Sequence, residues 1–138
     1  MLVACALAIG GFLLMPTEAH ACRCPTSVSL AAHYQRAAAV VVGTVEGIRS
    51  AGRVGATVAT VSVSDGWKKS VYAQVTVATE STCAFDFKTG ATYVLYLVDA
   101  PDGGYFTSQC LGNQPLQAAS RAVAWLRKNS TAAGPHPR

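Results

Sequence analysis

Hydrophobic and polar positions change period several times along this chain, and each change marks an element boundary. Residues 27–38 carry Leu30, Ala31, Tyr34 and Ala37 at helical spacing, with Ser27 or Ser29 available as N-cap, and predict a short helix. Ala39 to Val45 (Ala-Val-Val-Val-Gly-Thr-Val) is a β-branched run bounded by Gly47 and predicts a strand. After turn-forming residues 50–55, Ala56 to Ser64 alternates, with Thr57, Ala59, Val61 and Val63 on one face and Val58, Thr60, Ser62 and Ser64 on the other. Asp65-Gly66 closes it. Val71 to Ala78 predicts a third strand, with Val71, Ala73, Val75 and Val77 facing one way. Tyr93 to Val98 predicts a fourth, strongly buried strand, and Tyr105 to Gln109 completes a hairpin across the Pro101-Asp102-Gly103-Gly104 turn. Leu116, Ala119, Val123 and Leu126 return to helical spacing, with Arg and Lys near the end of that helix. Residues 129–138, closing on Gly134-Pro135-His136-Pro137-Arg138, read as a frayed, disordered tail. Five short strands with a helix near each end predict a mainly β molecule, a small closed or nearly closed five-stranded barrel of the OB type.

The first segment follows a different rule. Leu2 to Met15 is apolar and uncharged, yet shorter than the ~18–20 residues that span a bilayer as a helix. Ala19-His20-Ala21 stands directly before Cys22 and matches the small-x-small pattern of a signal-peptidase site. Residues 1–21 are therefore expected to be a signal peptide, and 22–128 the folded domain of an exported protein, extracellular or periplasmic, with no membrane anchor after cleavage. A buried core helix is the weaker reading, since Gly10-Gly11 and unbroken apolar character do not make an amphipathic face. A lipoprotein leader normally places Leu three residues before its Cys and a small residue two before, where this chain has Ala19 and His20.

Composition narrows the function classes. Hydrophobic residues make up 51% and charged residues 13%, against about 25% charged in an ordinary soluble domain, so disorder and a Glu/Lys-rich coiled coil are excluded. The net charge of +4 permits weak attraction to anionic partners and does not demand it. Trp67 beside Lys68 and Lys69 could form a stacking patch for single-stranded nucleic acid. A Trp ending a strand more often packs on the core with its lysines solvated, and no nucleic-acid partner is expected. Tyr93, Tyr96 and Tyr105 read as sheet residues rather than a ligand shelf. Asp65, Asp86, Asp99 and Asp102 sit beside turns, and Ser, His and Asp form no catalytic constellation, so neither enzymatic activity nor a cofactor is expected. His33 reads as a partly exposed helix residue.

Cleavage before Cys22 removes Cys5 and leaves Cys22, Cys24, Cys83 and Cys110, an even set that predicts two disulfides in an exported domain. Joining Cys22 to Cys24 would close a very small, strained ring, so each should reach a distant partner. Residues two apart in an extended segment project to one side, which lets a single N-terminal arm be stitched to two neighbouring parts of the barrel. Two pairings remain open at this point. Each closes long loops, worth roughly 4–5 kcal/mol as an upper chain-entropy estimate. A metal site would need a Cys-x-x-Cys or nearby Cys/His set, and neither His33 nor His136 has that spacing, so no intrinsic metal is expected.

Taken in order, several segments resemble one family. They are Cys22-Arg23-Cys24-Pro25 at the expected mature terminus, Ala39 to Val45, Val63-Ser64-Asp65-Gly66-Trp67-Lys68, Ser81-Thr82-Cys83-Ala84-Phe85, Phe87 to Tyr96, and Thr107-Ser108-Gln109-Cys110. Together they resemble the tissue inhibitors of metalloproteinases, in particular short bacterial members with only the netrin-like OB-fold domain. The resemblance implies the pairs Cys22–Cys83 and Cys24–Cys110. It also implies a mechanism, in which the free α-amine and backbone carbonyl of Cys22 chelate the catalytic zinc of a target metalloprotease, the metal belonging to the partner. An α-amine with a pKa of about 7.7–8 has its lone pair available near neutral pH, and a catalytic zinc keeps one open position. Arg23 would enter the specificity pocket beside that zinc, which requires an acidic or open pocket. Tyr34 stands close to the place of the animal family's third N-domain cysteine, so that bridge has no counterpart. The alternative implied by the same fold is a non-inhibitory netrin-like module that binds or supports another protein.

Overall fold

A computed structural model describes residues 22–52, 55–80 and 82–138. The leader expected over residues 1–21 lies outside the described residues. Element order is α1 (Leu30–Arg36), β1 (Ala39–Ser50), β2 (Thr57–Trp67), β3 (Gln74–Thr79), β4 (Thr92–Asp99), β5 (Tyr105–Phe106), β6 (Gln114–Pro115) and α2 (Ser120–Asn129), with 3₁₀ turns at Gln109–Leu111 and Leu116–Ala118. The sheet runs β1-β2-β3-β5-β4-β6, and a second pairing of β1 with β4 closes it into a barrel. Its five barrel strands are antiparallel neighbours except for β3 and β5, which run parallel. The expected five-stranded OB-like barrel with a helix near each end is present.

Alternation explains how two strands carry both halves of the core. Ala39, Val41 and Val45 of β1 and Tyr93, Leu95 and Leu97 of β4 point into the barrel with Ala59, Val61 and Val63 of β2 and Val75 and Val77 of β3. Val40 and Val42 of β1 and Val94 and Tyr96 of β4 point outward, yet they are buried beneath the helices with Ala119, Ala122 and Leu126. That is why the run Tyr93–Leu97 is continuously apolar rather than alternating. Register shifts at Val42/Gly43 and Val45/Gly47 bend β1 so that one strand can pair with β2 along its length and with β4 along its first half. At Gly43 a side chain would run into Val61 of β2, so only glycine permits that close approach.

Several boundaries differ from the sequence expectation. The helix expected over 116–126 starts later and ends later; Leu116 lies in a 3₁₀ turn and is 38% exposed, while Ala122 and Leu126 carry the buried face. The strand expected to run to Gln109 stops at Phe106, because the chain turns there into the 3₁₀ turn that holds Cys110. β3 begins only at Gln74, and Ala73 is exposed rather than sharing the inward face of Val71, Val75 and Val77.

The last segment is the largest departure. Residues 130–138 do not fray; they strap the outside of the barrel. Ala133 N–H donates to Gly66 O at 2.8 Å, Lys68 N–H to Thr131 O at 3.2 Å, His136 N–H to Val71 O at 2.9 Å and Ala73 N–H to His136 O at 2.9 Å. The His136 ring stacks on Tyr72 with centroids 4.6 Å apart. The physical reason is backbone satisfaction: groups at 66–73, between β2 and β3, find partners in the tail. Gly66 permits the approach from the barrel side, since an added Cβ there would come within 2.8 Å of Ala133 O.

Candidate functional site

The arm Cys22–Pro25 is tied to the barrel at two points. Cys22 is bridged to Cys83 in the segment between β3 and β4, and Cys24 to Cys110 in the 3₁₀ turn after β5. These are the pairs implied by the resemblance. Gln109 N–H donates to Cys83 O at 2.9 Å, so the two anchor segments are themselves joined. Along the arm, Cys22 and Cys24 are half-buried while Arg23, Pro25, Thr26 and Ser27 are exposed. Thr82, beside the first anchor, is exposed as well.

A seam in β4 sets the position of the second anchor. β5 pairs with Val98 and Asp99, and β6 pairs with Tyr93 and Val94, which leaves the edge between them without a strand. Side chains fill it. Asn113 Oδ1 accepts from Tyr96 N–H at 2.8 Å, and Thr107 Oγ1 donates to Tyr96 O at 2.8 Å. Asn113 Nδ2 donates to Thr107 Oγ1 at 2.8 Å and to Ser108 O at 3.0 Å, closing the network. The fully buried Thr107 hydroxyl thereby meets the requirement that buried polar groups be paired. On the other side, Thr79 Oγ1 accepts from Phe85 N–H at 2.7 Å and fixes the chain just past Cys83. Asn113 and Thr79 are positioning residues that sequence reasoning missed. An Asn placed shortly after a cysteine in a loop is the one signal that could have pointed to the first.

Behind the 3₁₀ turn sits His33 of α1. Its ring packs against Gly112, where an added Cβ would meet His33 Cγ at 2.7 Å and where φ is +98°, so only glycine fits. Burial, with Arg36 nearby, holds the His33 pKa below its ordinary value, against a hydrogen bond to the Leu111 backbone that raises it. Its Nδ1 and the hydroxyl of Tyr96 are buried without a hydrogen-bond partner, and the two rings lie 5.7 Å apart. Burial also raises the Tyr96 pKa.

Metal ligation by the cluster's own sulfurs is blocked in this state. Sγ atoms of Cys22, Cys83 and Cys110 lie within 4.8 Å of one another, but each belongs to a disulfide and offers no thiolate. The aromatic-basic pair at 67–69 is also occupied. Trp67 is 2% exposed and belongs to the core beneath the helices. Lys68 Nζ donates to the Tyr34, Gln35 and Ala37 carbonyls at the end of α1 rather than standing free in solvent. Lys69 pairs with Asp99 at 2.8 Å, which raises its pKa. Among the described residues no helix is long and apolar enough to cross a membrane, and two disulfides fit an oxidising compartment. No family model matches the chain, and no curated protein matches it.

Proposed function

We propose that this protein is exported, is processed to begin at Cys22, and inhibits a zinc metalloprotease through that residue. The observation that carries the reading is the double tether of a solvent-facing arm. Cys22 and Cys24 are bonded to two segments that are hydrogen-bonded to each other, while the residues between and after them, Arg23 and Pro25 to Ser27, are exposed. An arm held in this way has lost most of its conformational freedom before any partner arrives, which lowers the ordering cost of binding. A freed α-amine at Cys22 and its own carbonyl oxygen would close a five-membered chelate on a metal with one open position. The sulfur of Cys22 is the anchor and the nitrogen is the ligand. Arg23, exposed beside it, selects for an acidic or open pocket, because an unpaired guanidinium in an apolar one is costly. The chain itself performs no catalysis in this reading and carries no cofactor.

The test compares protein beginning at Cys22 with protein carrying one extra Ala before it. Inhibition of at least one enzyme in a metalloprotease panel is expected from the first and lost in the second, because acylating the amine delocalises its lone pair into the peptide bond and leaves it unable to bind zinc. Equal potency of the two forms would exclude chelation and leave a netrin-like module that binds through another surface.

A further inference from the structure

The two disulfides touch each other. Cys110 Sγ lies 3.5 Å from Cys22 Sγ and 3.9 Å from Cys83 Sγ, and Cys24 Sγ lies 3.8 Å from Cys22 Sγ. With all four sulfurs oxidised, these are van der Waals contacts between bridges. Every one of the four residues is half-buried rather than sealed, so a dithiol in solution has access to them. Cys110 Sγ is almost equidistant from both atoms of the Cys22–Cys83 bridge and so lies beside that bond, not on its axis. Disulfide exchange requires attack along the axis, and the oxidised pair is inert as it stands. Once its own bridge is opened, the Cys110 side chain is free to turn into line.

We infer that the four sulfurs form a single thiol–disulfide exchange centre, whose reactant is a dithiol and whose product is a Cys22–Cys110 bridge. Two routes converge on it. A dithiol that reduces Cys24–Cys110 leaves as a cyclic disulfide and yields two thiols. The Cys110 thiolate then bonds to Cys22 Sγ, and Cys83 departs as a thiolate and takes up a proton. Reduction of Cys22–Cys83 instead frees Cys22, whose thiolate bonds to Cys110 Sγ and expels Cys24. Both routes cross the shortest contact between the bridges, both consume two electrons from one dithiol, and both leave Cys24 and Cys83 as free thiols. The consequence for function rests on the inhibitor reading: one reduction event detaches the arm from the 82–84 segment and re-ties it to the 3₁₀ turn, displacing the Cys22 amine from its double tether.

The experiment treats the whole protein with one equivalent of dithiothreitol near neutral pH, alkylates the thiols, and maps the surviving bridge by peptide mass. The expected single-bridge species is Cys22–Cys110 with Cys24 and Cys83 alkylated; once the bimolecular reduction has occurred, the transfer step is first order in reduced protein and at least about tenfold faster than in guanidinium, reflecting enforced proximity. The Cys110→Ala variant, which retains Cys22–Cys83, should show no such transfer. Single-bridge species dominated by Cys22–Cys83 or Cys24–Cys110, or exchange equally fast in denaturant, would overturn the proposal. Inhibition is assayed on the same samples. Transfer seen by mapping in a protein that never inhibits sinks the inhibitor reading alone, whereas an active inhibitor that keeps a native bridge under these conditions sinks the exchange centre alone.

Discussion

His33 places an ionisable ring behind the turn that holds Cys110, with Gly112 pressed against its face and its Nδ1 unpaired. Its surroundings disfavour protonation: burial comes first, then the Arg36 guanidinium, with a hydrogen bond to the Leu111 backbone opposing them. Because the folded pKa lies below the ordinary 6.5, the unfolded chain takes up the proton first as pH falls. Stability is complete above that value, declines as pH drops through it towards the lowered folded pKa, and levels off below. Urea unfolding midpoints compared at about pH 7.5 and about pH 5.5 should show this loss, and His33→Gln should reduce it. A slope unchanged by that substitution would remove His33 as its source. The helical spacing of Leu30, Ala31, Tyr34 and Ala37 places His33 on α1, but nothing in the local pattern announces Gly112, far along the chain, that receives its ring.

α1 spans only Leu30–Arg36, too short to stand alone, and depends on what meets its ends. Ser29 Oγ accepts from Ala32 N–H at 3.1 Å at the start, and Lys68 closes the other end on three carbonyls while its ammonium rests 4.9 Å from the Tyr34 ring centroid. Lys68→Met keeps the aliphatic stem and removes the donor; it should cost about 1 kcal/mol in chemical denaturation, allowing for its exposure. A loss near zero would mean that water replaces Lys68 without penalty. Elements with strong periodicity were legible in the sequence: a serine cap at Ser27 or Ser29, of which Ser29 serves, the inward face Ala59, Val61 and Val63, and the strongly buried Tyr93–Val98 strand. What escaped were features decided by distant partners. Lys68 looks like any surface lysine until the end of α1 is brought to it. β1 continues past Gly47 to Ser50 because β2 accompanies it, and Gln114–Pro115 is a strand only because Tyr93 and Val94 lie beside it. The arm was legible as two same-side cysteines, while its pairing came through family resemblance and not from spacing.

At the scale of the whole molecule, both described ends are fastened to the barrel, one by sulfur and one by hydrogen bonds. The C-terminal strap contributes four backbone hydrogen bonds across residues 66–73, the bond from Ser70 Oγ to Gly134 O at 2.7 Å, and the His136–Tyr72 stack. Deleting residues 131–138 should lower the thermal midpoint and raise amide exchange at Ala73 and Lys68, whose N–H groups lose their acceptors, while amides in β1 and β4 keep their protection. Unchanged exchange at those two amides would show that the strap is not engaged in solution. The seam along β4 has a different bearing. Between β5 and β6, a carboxamide and a hydroxyl stand in for a missing strand at Tyr96, so on the β4 side the loop carrying Cys110 is held by side chains instead of a continuous ladder. Substitution at Thr107 or Asn113 can therefore re-aim that loop without re-registering any strand, which makes the geometry of the disulfide-tethered end separable, in evolution or in engineering, from the architecture that supports it.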